Sequence, residues 1–118
     1  MKIKETGFIV FMERFERALE FYEGGLGLRV RVRKAGLAQL DFGGSYLMIE
    51  DGGAAAAAEK TRAQNPTVIR LDVTDFEETV EELRERGVDV LVQSFGWGTI
   101  GTVIDPEGNR IELKKAEE

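Results

Sequence analysis

Apolar residues recur along this chain at two spacings, and the order in which the spacings alternate occurs twice. Lys4 to Met12 is an apolar, β-rich run with one glycine inside it and predicts a strand. From Glu13 to Glu23 the period lengthens, so that Phe15, Leu19 and Tyr22 share one face of a helix that Gly24-Gly25 ends. Leu28 to Arg33 alternates apolar residues with arginine, which predicts a strand with one buried and one basic face. Two more strands follow, Leu37 to Phe42 and Ser45 to Glu50, joined through Gly43-Gly44.

A stretch without an apolar stripe comes next. Gly52-Gly53, the alanines from Ala54 to Ala58 and the segment to Ala63 predict a short exposed helix or a mobile flap. Gln64 and Asn65 follow it, at the edge of a cavity or in an ordinary loop. From Pro66 the first order returns: strand Thr67 to Val73, helix Asp75 to Arg86, strand Val88 to Gln93, then two strands of a hairpin. Thr74 and Glu77 have the spacing of a capping box, and Gly87 supplies the stop. In the hairpin, Asp105-Pro106-Glu107-Gly108 has the residue preferences of a type I turn. Beyond it, alternation puts Arg110 and Glu112 on one face and Ile111 and Leu113 on the other.

The repetition extends to residues. RFERALEFY at Arg14 to Tyr22 matches DFEETVEEL at Asp75 to Leu83, with Phe15 and Phe76 standing 61 positions apart. The expected architecture is α+β: two βαβββ modules in pseudo-twofold arrangement, forming a cupped mixed sheet with helices outside. The boundaries are module one at 1–51, connector at 52–65 and module two at 66–118, within a single domain. The repeat sets Gly7 against Val68 and, with one inserted residue, Glu50 against Glu112. Under pseudo-twofold packing these four positions converge.

Composition narrows the chemistry. Hydrophobic residues make up 42% of the 118 and charged residues 32%, with only 2 prolines, a folded single-domain profile. No apolar run is long enough for a bilayer, so a cytoplasmic protein without membrane contact is expected. A net charge of −6 argues against nucleic acid. With Cys 0 and His 0, the chain has no thiolate, no imidazole base and no nitrogen or sulfur metal ligand.

Three stretches carry a family resemblance: ALEFYEGGLGLRV at Ala18 to Val30, DFEETVEELRERGVDV at Asp75 to Val90, and FGWGTIGTVIDPEGNRIEL at Phe95 to Leu113. In them the chain resembles the vicinal oxygen chelate superfamily, which includes glyoxalase I, bleomycin-resistance proteins and extradiol dioxygenases. The resemblance implies paired βαβββ modules, a homodimer and a cavity. Its metal-dependent members place four ligands at positions that fall here on Gly7, Glu50, Val68 and Glu112. Glu50 and Glu112 fit as metal ligands, whereas Gly7 and Val68 offer no side-chain donor.

Three readings of the carboxylate pair follow. In the first, Glu50 and Glu112 hold a hard ion, Mg²⁺ or Mn²⁺, for a lyase or isomerase of the vicinal oxygen chelate type, with Glu5 as a third ligand after a register slip. In the second, no cofactor is bound. Arg70, two residues beyond Val68, bridges Glu50 and Glu112, and the acidic, aromatic cavity formed with Tyr46, Met48, Phe95 and Trp97 takes a flat or cationic small molecule. In the third, the domain is a non-catalytic interaction module.

Overall fold

The computed structural model describes residues 1–117 and contains two compact units, Met1–Ala55 and a second from Ala56 onward. The first runs β1 (Gly7–Met12), α1 (Phe15–Glu20), β2 (Val30–Lys34), β3 (Leu37–Phe42) and β4 (Ser45–Asp51). The second runs β5 (Ile69–Val73), α2 (Phe76–Glu85), β6 (Leu91–Phe95), β7 (Gly98–Ile104) and β8 (Arg110–Lys115). Each folds into a four-stranded mixed sheet, in the orders β1-β4-β3-β2 and β5-β8-β7-β6. The expected pair of βαβββ modules is therefore present. In both, the first strand lies parallel to the last and the other pairings are antiparallel.

Alternation decides which face closes into a core. In the first unit Ala38, Leu40, Leu47 and Ile49 are fully buried, along with Phe15, Ala18 and Leu19 of α1. Gln39, Tyr46, Met48 and Glu50, the intervening positions, are only half-buried. In the second unit Phe76, Val80 and Leu83 of α2 and Val103, Ile111 and Leu113 of the sheet form the core. Gly101 lets α2 approach, since a Cβ there would stand 2.9 Å from Val90 Cγ1 and 3.5 Å from Phe76 Cζ. Each sheet thus keeps one apolar and one more polar face. Among the described residues, no helix is long and apolar enough to cross a membrane.

Several boundaries differ from the periodicity. The first strand starts at Gly7 and not Lys4, and Glu5, ahead of it, is held by the Arg31 guanidinium. The first α-helix ends at Glu20 and widens into a π turn, Phe21–Gly25, closed by the Leu26 amide donating to the Phe21 carbonyl at 2.9 Å. On the edge strand β2 the register shifts between Val30 and Val32, and Val32 is exposed, so the expected buried face does not close. Its arginines and Arg29 just before it find carboxylates: Arg29 and Arg31 on Asp41, Arg31 also on Glu5, and Arg33 on Glu16.

In the second unit the capping box is not formed. Asp75 is the N-cap, in the left-handed region at φ 49 and without a side-chain cap, while Glu77 pairs with Lys115 at 2.6 Å. The strand expected at Val88 to Gln93 starts at Leu91; Val88 and Val90 are buried ahead of it, tied down by Arg84 Nη2 donating to the Val90 carbonyl at 2.8 Å.

The alanine-rich connector is neither a helix nor a free flap. The Ala56 amide donates to the Glu107 carbonyl at 3.0 Å and the Lys60 amide to the Gly108 carbonyl at 2.7 Å, docking the connector on the hairpin turn. That turn wires itself. The buried Asp105 accepts from the Glu107 and Asn109 amides at 2.9 and 2.8 Å through Oδ1, and from Asn109 Nδ2 at 2.9 Å through Oδ2. Lys60 Nζ and Asn65 Nδ2 donate to Asn109 Oδ1, and Gln64 accepts from the Thr61 amide, so Gln64 and Asn65 fasten the loop.

Gly108 sits at φ +89, and a Cβ on it would meet the Ala58 carbonyl oxygen at 2.5 Å. Gly108→Ala is expected to cost about 2 kcal/mol or more in urea unfolding, from backbone strain plus the displaced connector. Gly43→Ala, at φ +60 with open space around it, isolates the backbone part and should cost about 1 kcal/mol. Equal losses at the two positions would contradict the docked connector.

Candidate functional site

The polar face of the second sheet is organised around Glu112. The register places it between Arg70 on β5 and Thr102 on β7. Glu112 Oε1 accepts from Arg70 Nη2 at 2.7 Å and Nε at 3.2 Å, and Oε2 accepts from Arg110 Nε at 2.9 Å. Both carboxylate oxygens are thereby engaged by guanidinium groups. Arg110 is fixed in turn, donating through Nη2 to Thr102 Oγ1 at 3.2 Å and through Nη1 to Glu59 at 3.3 Å. Glu59 belongs to the docked connector, so the segment expected as a helix or a mobile flap supplies a carboxylate to the cluster.

Burial and charge compete at Glu112. Burial pushes its carboxyl up, but the hydrogen bonds and charges of Arg70 and Arg110 outweigh that and leave it below its ordinary value of 4.5. Arg110 feels the reverse combination: burial lowers it, Glu112 and Glu59 raise it more. The Glu112 side chain is 15% exposed and that of Arg70 46%, so their ion pair lies at the boundary with water.

Two aromatics stand beside this cluster. Trp97 occupies the tight turn between β6 and β7, and its ring stacks on Phe95 with centroids 5.3 Å apart and planes within 2°. The Arg70 guanidinium carbon lies 5.5 Å from the Trp97 centroid. Both rings remain largely open to water. Of the residues expected here, Arg70, Phe95, Trp97 and Glu112 share one region of the second unit.

In the first unit the polar face carries Tyr46, Met48 and Glu50 at alternate positions of β4, as expected. Glu50 is half-buried, paired in register with Phe11 and Leu37, and has no ion-pair partner within its unit. Gly7 does not stand beside it. Gly7 is level with Tyr46, four residues along the strand from Phe11, roughly 13 Å at a strand's rise. A Cβ on Gly7 would lie 2.2 Å from the Tyr46 ring, so the glycine gives room to the tyrosine. Glu5 is committed to Arg31, whose hydrogen bond lowers its carboxyl pKa. Val68 falls just before β5, ahead of the rung that pairs Arg70 with Glu112.

Glu50 apart, these positions offer a metal no uncommitted donor. Glu112 has no oxygen free of a guanidinium, Glu5 is taken, and Gly7 and Val68 bring no donor. Among the described residues, no three acidic side chains are grouped to hold an ion. The surface depressions nearest the helices, of about 370 Å³ beside α1 and about 300 Å³ beside the start of α2, include none of the cluster residues.

Sequence reasoning placed Arg110 on the Glu112 face but gave it no role, and it missed Glu59, Thr102 and Lys114. Strand alternation was enough to find Arg110, Thr102 and Lys114, because all three point the same way as Glu112. Nothing in the local pattern marked Glu59, whose position depends on how the connector docks.

Comparison with known proteins gives one family. Residues 4–113 match the model of the Glyoxalase/Bleomycin resistance protein/Dioxygenase superfamily. Among solved structures, TioX from Micromonospora sp. ML1 superposes with a TM-score of 0.78 at 20% identity, over 97% of this chain and 99% of that one. A glyoxalase/bleomycin resistance protein/dioxygenase from Alicyclobacillus acidocaldarius gives 0.77 at 19%, over 98% and 92%. The bleomycin resistance determinant encoded on transposon Tn5 gives 0.75 at 20%, over 98% and 100%. At such identities the likeness establishes the fold. No curated protein matches the chain by sequence.

Because Arg70 is half exposed, Arg70→Met should cost only about 1 kcal/mol and not the loss of a fully buried pair. Glu112 sets a sharper expectation. Its folded value is depressed, so its contribution is present above the unfolded value and is lost as pH falls through the folded one. Urea unfolding from neutral pH to about pH 3 should therefore show a steeper acid loss in the wild type than in Glu112→Gln, which is weaker at neutrality. Parallel pH curves would contradict the paired carboxylate.

Proposed function

Since the chain belongs to the glyoxalase/bleomycin resistance protein/dioxygenase superfamily, we propose that it binds a small organic molecule and does so without metal chemistry. The observation that carries this reading is the pairing of Glu112: where the resemblance puts a metal ligand, Arg70 and Arg110 occupy both oxygens. The internal cations supply the positive charge that a bound ion would bring. A metal would have to displace two arginines to gain one carboxylate, with no nitrogen ligand to complete its shell.

The Phe95 and Trp97 rings give such a molecule an apolar surface next to fixed polar groups, the usual composition of a ligand site. In the first unit Tyr46, Met48 and Glu50 form a second patch where the Glu50 carboxylate can meet a cationic substituent. The bleomycin resistance determinant of Tn5 shares the fold, and sequestration of a flat molecule is the role we assign here by analogy. The protein is taken to act as a cytoplasmic homodimer. Exposed Phe8, Ile9 and Phe11 on the edge strand β1 support that assembly, because an apolar edge calls for cover.

Calorimetry with Mn²⁺, followed by a panel of flat organic compounds of differing charge, tests the reading. We expect no heat from Mn²⁺ and binding by members of the panel, with the dimer seen by sedimentation at micromolar concentration. Tight Mn²⁺ binding that Glu112→Gln abolishes would replace binding with metal chemistry, and a monomer would remove the assembly.

A further inference from the structure

Although the chain as a whole is acidic, the charge that lies against Trp97 is the Arg70 guanidinium, and we infer that this site takes a planar anion, an aromatic carboxylate, on the exposed surface of the Phe95–Trp97 stack beside Arg70. The inference rests on the small-molecule reading above and narrows it to a ligand class.

The charges are counted on the second sheet's polar face. Arg70, Arg110 and Lys114 stand with Glu112, Glu59 and Asp72, the last level with Lys114 in the register, so cations and anions are equal in number. Glu112 and Glu59 are already engaged, and Asp72 stands across from Lys114, one position further along the face from Arg70. Glu112 accepts from Arg70 and Arg110 through both oxygens, and Glu59 from Arg62 and Arg110. A cationic ligand would find no free carboxylate oxygen on Glu112 and would face two guanidinium groups behind it.

The cations are not equally engaged. Arg70 uses Nε and Nη2 on Glu112, and its Nη1 makes no hydrogen bond among the described residues. Held by two of its nitrogens and lying against Trp97, the guanidinium is a donor already oriented, so an incoming acceptor gains a charge-assisted bond at little entropic cost. Glu112 is in this sense a positioning residue for Arg70. Lys114 adds a second donor: its Cε and Nζ lie 3.5 and 3.9 Å from where a Cβ on Gly98 would be, next in sequence to Trp97. Gly98 thus leaves the lysine room to lie across the turn.

The ring of the ligand has its own partner. Phe95 and Trp97 are 48% and 56% exposed although they stack on each other, so the pair retains aromatic surface for a flat molecule. An aromatic ring alone would bind there without regard to charge. A carboxylate on that ring brings Arg70 Nη1 and Lys114 into use.

The test is one ring with three charges: 2-naphthoate, neutral 2-naphthamide and (2-naphthyl)methylammonium, titrated by calorimetry. The indole N–H resonance of Trp97, the chain's single tryptophan, reports the site in the same samples. We expect 2-naphthoate to bind about tenfold or more tightly than either other compound, with the Trp97 resonance shifting on binding. Arg70→Met should remove most of that preference, Arg70→Lys should retain part of it, and Trp97→Ala should weaken all three compounds. Far-ultraviolet circular dichroism checks that each variant is folded. Preference for the ammonium with a shift at Trp97 overturns the anion inference and leaves the small-molecule reading standing. Naphthoate binding without a shift at Trp97 also overturns the inference. Absence of binding by all three at millimolar concentration overturns both.

Discussion

A glutamate gripped from both sides by arginine is the interaction on which the second unit's chemistry depends. Glu112 stands in the middle of a four-stranded sheet, on a strand whose other face buries Ile111 and Leu113. A lone carboxylate there would lose water without gaining a partner. Arg70 from the neighbouring parallel strand and Arg110 from its own strand compensate that loss, and Glu59 and Thr102 hold Arg110. The pairing has two consequences at once: the carboxylate is favoured in its ionised form, and a metal ion would have to displace a guanidinium to reach it.

The hairpin turn makes this geometry reproducible. Asp105 gathers the Glu107 and Asn109 amides and the Asn109 side chain, which sets where β8 begins and hence which residues face Arg70. The same turn anchors the connector through the Glu107 and Gly108 carbonyls. Turn, connector and ion cluster are therefore one mechanical unit. Glu59 reaches Arg110 because backbone hydrogen bonds bring the connector to the turn.

Much of this was legible in the sequence because it depends on local rules. Alternation found the two faces of β4 and β8, helical spacing found both helices, and residue matches between them disclosed the repeated βαβββ order. The DPEGN preferences announced the turn. What escaped needed information from distant residues. The capping box at Thr74 and Glu77 looked complete until Lys115 offered Glu77 a stronger partner. The strict alternation of β2 suggested a buried face, but an edge strand with a shifted register has too little covering it. Gly7 matched a ligand position by counting, yet strand register set it beside Tyr46 and gave the place next to Glu50 to Phe11. Low complexity at Ala54 to Ala58 suggested mobility, whereas the order comes from backbone hydrogen bonds that do not depend on side-chain identity.

A fold used for several chemistries leaves the choice among them to a few side chains. Here the choice turns on whether the charge opposite Glu112 belongs to the protein. The most direct measurement is a pH titration of the Glu112 side-chain carboxyl carbon by NMR, in the apo protein and again with excess Mg²⁺. The account predicts a midpoint below the ordinary value of 4.5, unchanged by the ion. A midpoint at or above that value, or one that Mg²⁺ moves, would contradict it.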